Sequence, residues 1–73
     1  MIDPMDSTEL KGACERLGWS GRELGRKTGY TPQTINSYMH GRAEVPPLLA
    51  EYLRFRLDVQ RVIDGLQAIL YVR

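Results

Sequence analysis

Three neighbouring polar side chains, Gln33, Asn36 and Ser37, are the residues of this chain best equipped to read another molecule. The carboxamides of Gln and Asn donate and accept at once, so each can pair bidentately with the edge of an adenine, and a serine hydroxyl can pair with almost any base. Cations stand around them. Arg22, Arg26, Lys27 and Arg42 face Glu23 alone between residues 20 and 42, a local excess of +3, which is the footprint a phosphate-facing surface needs. A merely solvated helix face carries similar residues, so their placement has to decide. Covalent chemistry has far less to work with. One cysteine, Cys14, and one histidine, His40, are present, and no acid pair, Cys/His set or glycine-rich phosphate loop falls at catalytic or zinc spacing. Neither an enzyme nor a cofactor, metal or small-molecule ligand is expected.

The punctuation around these residues places them on two short helices. Ser20 is a good N-cap, and Glu23 follows at the spacing of a capping box. Trp19 and Leu24 bracket that start at the spacing of a hydrophobic staple. The arrangement then recurs. Thr31 caps, Pro32 takes the first helical position where its missing N–H costs nothing, and Tyr30 stands at staple spacing to Ile35. Gly29 and Gly41 sit where a positive φ would stop each helix. The spacing predicts helices over roughly Gly21–Thr28 and Pro32 to Met39 or His40, joined by a minimal turn. Leu24, Ile35 and Tyr38 point inward with Met39 at the border, which turns Gln33, Asn36, Ser37 and His40 outward.

Trp19–Gly41, WSGRELGRKTGYTPQTINSYMHG, resembles the helix-turn-helix of the Cro/CI-type (Xre-like) DNA-binding domains of phage and bacterial repressors. The residues that carry the likeness are Ser20, Glu23, Leu24, Gly25, Gly29, Tyr30, Thr31, Thr34, Ile35, Asn36, Tyr38 and Gly41, and it extends more loosely from Leu10 to about Leu57. The resemblance implies an all-α, lambda-repressor-like domain of four to five helices that binds double-stranded DNA, with a recognition helix at about 32–40. By motif position, Gln33 and Ser37 match the base-reading sites and Asn36 flanks them. Pro32 stands where a polar base reader is common and offers only apolar contact, such as to a thymine methyl. Thr31 matches a backbone-contacting cap. Gly21 replaces a glutamine that often touches phosphate, and Arg22 beside it is the substitute. Arg26, Lys27, His40 and Arg42 complete the set expected at the DNA backbone. Gly25 replaces the usual alanine, keeping the helices close at a helix-propensity cost of about 1 kcal/mol.

Seventy-three residues make one domain, which buries only about 60 % of its unfolded surface and is marginal alone. The formal net charge is +1, so only the distribution of charge is informative. No apolar run approaches the roughly 20 residues of a membrane span, and Met1–Pro4 does not resemble a secretory signal. A lone cysteine rules out an internal disulfide and fits a reducing, cytoplasmic setting: the nucleoid of a bacterium or a phage-infected cell. Residues 1–6 read as a flexible arm and 7–57 as the DNA-binding domain. Asp6 or Ser7 caps a first helix, with Glu9 at box spacing from Asp6. Leu10, Ala13, Cys14 and Leu17 form its amphipathic stripe, with Cys14 a buried small hydrophobe, and Gly18 stops it.

After the Glu44–Pro47 connector, the pattern is helical almost to the end. Leu48, Tyr52, Phe55, Val59, Val62, Leu66 and Ile69 recur at spacings 4, 3, 4, 3, 4, 3, the seam of a coiled coil. Leu49 and Leu53 lie beside it and cover the core, while Leu57, Leu70 and Tyr71 widen the stripe. Two arrangements bury the part beyond the head: pairing with a second subunit, or a bend near Asp58 or Gly65 that returns a fifth helix onto the head. Dimerisation through residues 58–73, with Phe55, Val59, Val62, Leu66 and Ile69 as the interface, is preferred. The expected function is a dimeric repressor on a palindromic operator. The alternative is an antitoxin-like or accessory protein whose last helix holds a small protein partner.

Overall fold

The computed structural model describes residues 4–71, with side chains to residue 70. The fold is all-α and has four helices: α1 (Ser7–Leu17), α2 (Gly21–Thr28), α3 (Pro32–Met39) and α4 (Pro47–Tyr71). Local chemistry sets each boundary. Asp6 caps α1, its Oδ1 accepting from the Glu9 amide at 2.7 Å. Ser20 Oγ accepts from the Glu23 amide at 3.1 Å to start α2. Gly18, Gly29 and Gly41 take φ of 72°, 84° and 72°, the left-handed region in which a side chain would be strained. α4 begins at Pro47, and its first turn closes through the Ala50 amide on the Pro46 carbonyl at 3.0 Å.

α1 packs against α3 and α4, and α2 against α3. Leu10, Leu24, Ile35 and Leu53 meet at the centre, one from each helix and each 2 % exposed or less. Burying a side chain of this size stabilises by roughly 1.5–3 kcal/mol. Ala13, Cys14, Leu49 and Ala50 fill the spaces between them, and Val45 closes the connector side. Burial pushes the Cys14 thiol above its ordinary pKa, so it stays neutral and acts as a small apolar residue. Leu17 and Tyr38, expected inside, are half-buried and border the core.

Four other expectations need correcting or completing. Met5, placed by sequence on a flexible arm, is only 4 % exposed and belongs to the core. With Asp6 capping α1, residues 5 and 6 are part of the folded head, whereas residues 1–3 lie outside the described residues, as do 72 and 73 at the other end. Glu9 does not complete a capping box, because its carboxylate reaches Arg54 of α4 at 2.8 Å. Both side chains of that pair are partly exposed, so it orients α1 on α4 more than it stabilises. Trp19 stacks on Tyr52 of α4 with centroids 6.2 Å apart, and Tyr30 sets its ring edge-on to Tyr38 at 5.7 Å. Trp19 thus ties the start of α2 to α4, whereas Tyr30 folds back onto α3 itself. Finally, α4 runs unbroken past Asp58 and Gly65, and among the described residues no fifth helix returns onto the head.

Gly25 is the tightest point. A Cβ there would lie 2.8 Å from the Tyr30 carbonyl oxygen and 3.7 Å from Ile35 Cγ1. Gly25→Ala gains about 1 kcal/mol of helix propensity but pushes on backbone that cannot rotate away. The expected result is a net loss of roughly 1–3 kcal/mol, read from a denaturant melt. Equal or greater stability would show that the α2–α3 turn relaxes freely.

Candidate nucleic-acid interface

The turn between α2 and α3 decides where the polar side chains go. Gly29 reverses the chain, and its amide closes α2 on the Gly25 carbonyl at 2.8 Å. Thr31 then opens α3: its Oγ1 accepts from the Thr34 amide at 3.2 Å and pairs with Thr34 Oγ1 at 2.8 Å. Ile35 faces in and is 2 % exposed, so the 100° step of the helix turns Pro32, Gln33 and Asn36 outward. All three are exposed. At Gly21 a Cβ would sit 3.4 Å from Ile35 Cγ2, and this bare backbone leaves an open cleft between the start of α2 and α3. Gly21, Arg22, Pro32, Gln33 and Asn36 line it, with Ile35 and Met39 below.

Four residues expected at the interface therefore share one cleft: Arg22, Pro32, Gln33 and Asn36. The chemistry of that group is coherent. Two carboxamides can each donate and accept, a proline offers a flat apolar surface, and a guanidinium stands at the rim. Pro32 has no N–H and Thr34 gives its amide to Thr31, which leaves the Gln33 amide as the first-turn donor for an outside anion.

The remaining expected residues are placed differently. Ser37 is half-buried, and its hydroxyl donates to the Gln33 carbonyl at 3.1 Å, so its oxygen is left to act as an acceptor. Thr31 spends its oxygen on capping α3. His40 is exposed at the end of α3, where its amide bonds the Asn36 carbonyl at 3.0 Å. Arg42 follows Gly41, with its amide on the Ser37 carbonyl at 2.9 Å. It lies in a second hollow, beside Asp6, Ser7 and Glu44, apart from the cleft at Arg22. Arg26 is exposed on α2. Lys27 turns the other way: its ammonium lies 4.8 Å from the Trp19 ring centroid, and it borders a shallow hollow with Tyr30, Leu48 and Tyr52.

Sequence reasoning missed Arg56, whose guanidinium carbon is 5.5 Å from the same Trp19 ring. Its position one helical turn beyond Tyr52 was the available signal, since the face of α4 that carries Tyr52 also reaches Trp19. Cations over an indole contribute about 0.5–1 kcal/mol at exposed sites. Lys27 and Arg56 thus brace the head where they meet Trp19, whereas Arg22 is free to serve the cleft.

This arrangement defines a helix-turn-helix, and comparison agrees: the chain belongs to the helix-turn-helix domain family, whose sequence model matches residues 7–68. Domains of this kind are DNA-binding regulatory modules, and the match includes most of α4. Neither the curated proteins nor the solved structures give a significant match. Among the described residues no helix is long and apolar enough to cross a membrane, and no group of three His, Cys, Asp or Glu could hold a metal ion.

The split between the cations is testable by salt titration. Arg22→Ala should weaken binding to all duplexes and flatten the salt slope by roughly one unit. Lys27→Ala should leave that slope unchanged and lower the melting temperature instead. A slope change for Lys27→Ala equal to that of Arg22→Ala would put both side chains on phosphate.

Proposed function

We propose that the protein is a small transcriptional regulator that binds double-stranded DNA sequence-specifically, as a dimeric repressor on a palindromic operator. The observation that carries this reading is the shared cleft of Arg22, Gln33 and Asn36 at the start of α3. Gln33 and Asn36 read base edges, Pro32 packs against a base, and Arg22 sits on phosphate with the Gln33 amide. Ser37 accepts a hydrogen bond at the edge of the same face. Thr31, Arg26, His40 and Arg42 lie along the DNA backbone on either side. Each good amide–base pair is worth roughly 1–3 kcal/mol of discrimination, too little for one head to find an operator. A two-fold pair doubles the readout on half-sites about 34 Å apart. Blocking a promoter by occupancy is the effect that fits such a module best.

A second reading is favoured by one feature, the exposed apolar arm of α4. An antitoxin-like or accessory protein would present it to a small protein partner while the head still bound DNA.

Selection from a random duplex pool tests the main reading. A palindromic winner, bound by two chains with steep salt dependence, is expected; no enrichment would make the head a scaffold. Gln33→Ala should then reduce preference for the winner by roughly tenfold or more while binding to random DNA stays constant. An equal loss on both DNAs would remove Gln33 from the base readers. Val62→Asp should convert dimer to monomer in sedimentation while the chain stays helical, because Val62 is 62 % exposed, and its melt should lose its dependence on protein concentration.

A further inference from the structure

We propose that the apolar arm of α4 is covered by α4 of a second copy of this chain, the two helices running antiparallel about a two-fold axis near Val59. This gives the homodimer of the reading above a definite geometry, and to that extent rests on it.

Area comes first. Residues 61–70 are exposed on every side of the helix. Leu48, Phe55, Val62, Leu66, Ile69 and Leu70 are each more than half exposed. Together they leave apolar surface on the order of several hundred Å² per chain, the size at which an exposed patch marks an interaction site. A chain with that much open apolar surface on one helix has a cover for it.

The stripe fits its own reversed copy. Its spacings of 4, 3, 4, 3, 4, 3 from Leu48 to Ile69 keep the alternation when read backwards, with Val59 at the centre. Shape points the same way. The half anchored on the head carries two rings, Tyr52 and Phe55, whereas the arm's part of the stripe carries Val62, Leu66 and Ile69. With Val59 at the centre, antiparallel pairing sets Phe55 against Val62 and Tyr52 against Leu66. Parallel pairing sets each ring against its own counterpart.

Charge disfavours the parallel pair as well. Lys27 borders the hollow formed with Leu48 and Tyr52, so parallel helices would bring two heads together with lysine facing lysine. In the antiparallel pair the arm's uncharged end, Leu66–Leu70, lies over that hollow instead. The axis also sets Asp58 beside its own copy, and because Asp58 is exposed water and salt screen that like-charge pair.

The arrangement also suits the DNA. Leu49, Ala50 and Leu53 fix each α4 in its own head. At 1.5 Å per residue the two anchor points fall roughly 25 Å apart along the helix pair. Heads held at that separation can bring their recognition helices to successive major grooves, about 34 Å apart.

A nitroxide on Gln67→Cys tests this in the full chain without DNA. Gln67 is exposed and lies outside the stripe, while Cys14 is 4 % exposed and stays unlabelled. The antiparallel pair predicts a label separation of roughly 25–30 Å, and dimers that Leu66→Asp abolishes while the circular dichroism spectrum stays helical and the melt becomes independent of protein concentration. Labels within about 15 Å would mean parallel helices packed at 8–10 Å and overturn the geometry. A wild-type monomer at tens of micromolar overturns it as well, leaving the arm to a different protein. DNA selection is scored separately: a monomer that still selects an operator sinks this inference alone. An antiparallel dimer that selects none sinks only the DNA reading.

Discussion

The close passage of α2 under the start of α3 is the constraint on which the rest of the head depends. Gly25 lets the Tyr30 carbonyl come within a distance that no Cβ would allow, and Gly21 leaves room for Ile35 one turn earlier. Because the helices meet there, Leu24 and Ile35 reach the same buried centre as Leu10 and Leu53. Because Ile35 is fixed, the opposite face of α3 is fixed too, and Gln33 and Asn36 open onto the cleft beside Arg22. A rigid polar face on a small domain is what base readout requires, since each side chain must arrive at a base edge without further ordering.

The second organising element is the ring of Trp19. It stacks on Tyr52 and carries Lys27 and Arg56 near its face, so the cations of α2 are placed in two different surroundings. Arg22, on the first turn of α2, lines the cleft. Lys27, at its last turn, braces the head against α4. The +3 excess between residues 20 and 42 is therefore not a uniform patch, and its spatial division matters more than its sum.

α4 is two things along one helix. Its first two turns bury Leu49, Ala50 and Leu53 and complete the head, whereas its second half is exposed and meets no other helix among the described residues. Nothing interrupts it, because Gly65 costs a helix interior only about 1 kcal/mol and no proline intervenes. The arm thus continues, as one helix, the segment that the head anchors.

Most of the fold was legible in the residues themselves, and for a physical reason. Caps, stops and the first position of a helix are decided within four residues, so Ser20, Thr31, Pro32, Gly29 and Gly41 mark the boundaries of α2 and α3 by their chemistry alone. Apolar spacing likewise picked out Leu10, Leu24, Ile35 and Leu53. Part of the candidate site was legible for the same reason, since Ile35 facing inward compels Gln33 and Asn36 to face out. What remained depended on contacts between residues distant in the chain. Only packing could bring Met5 into the core, give Glu9 to Arg54 instead of a capping box, and turn Lys27 onto Trp19 while Arg22 stayed at the cleft. The straight course of α4 was equally undecided, because its stripe satisfies a returning helix and a projecting one alike. A periodic pattern states which face must be covered, and tertiary structure alone decides what the chain itself leaves uncovered.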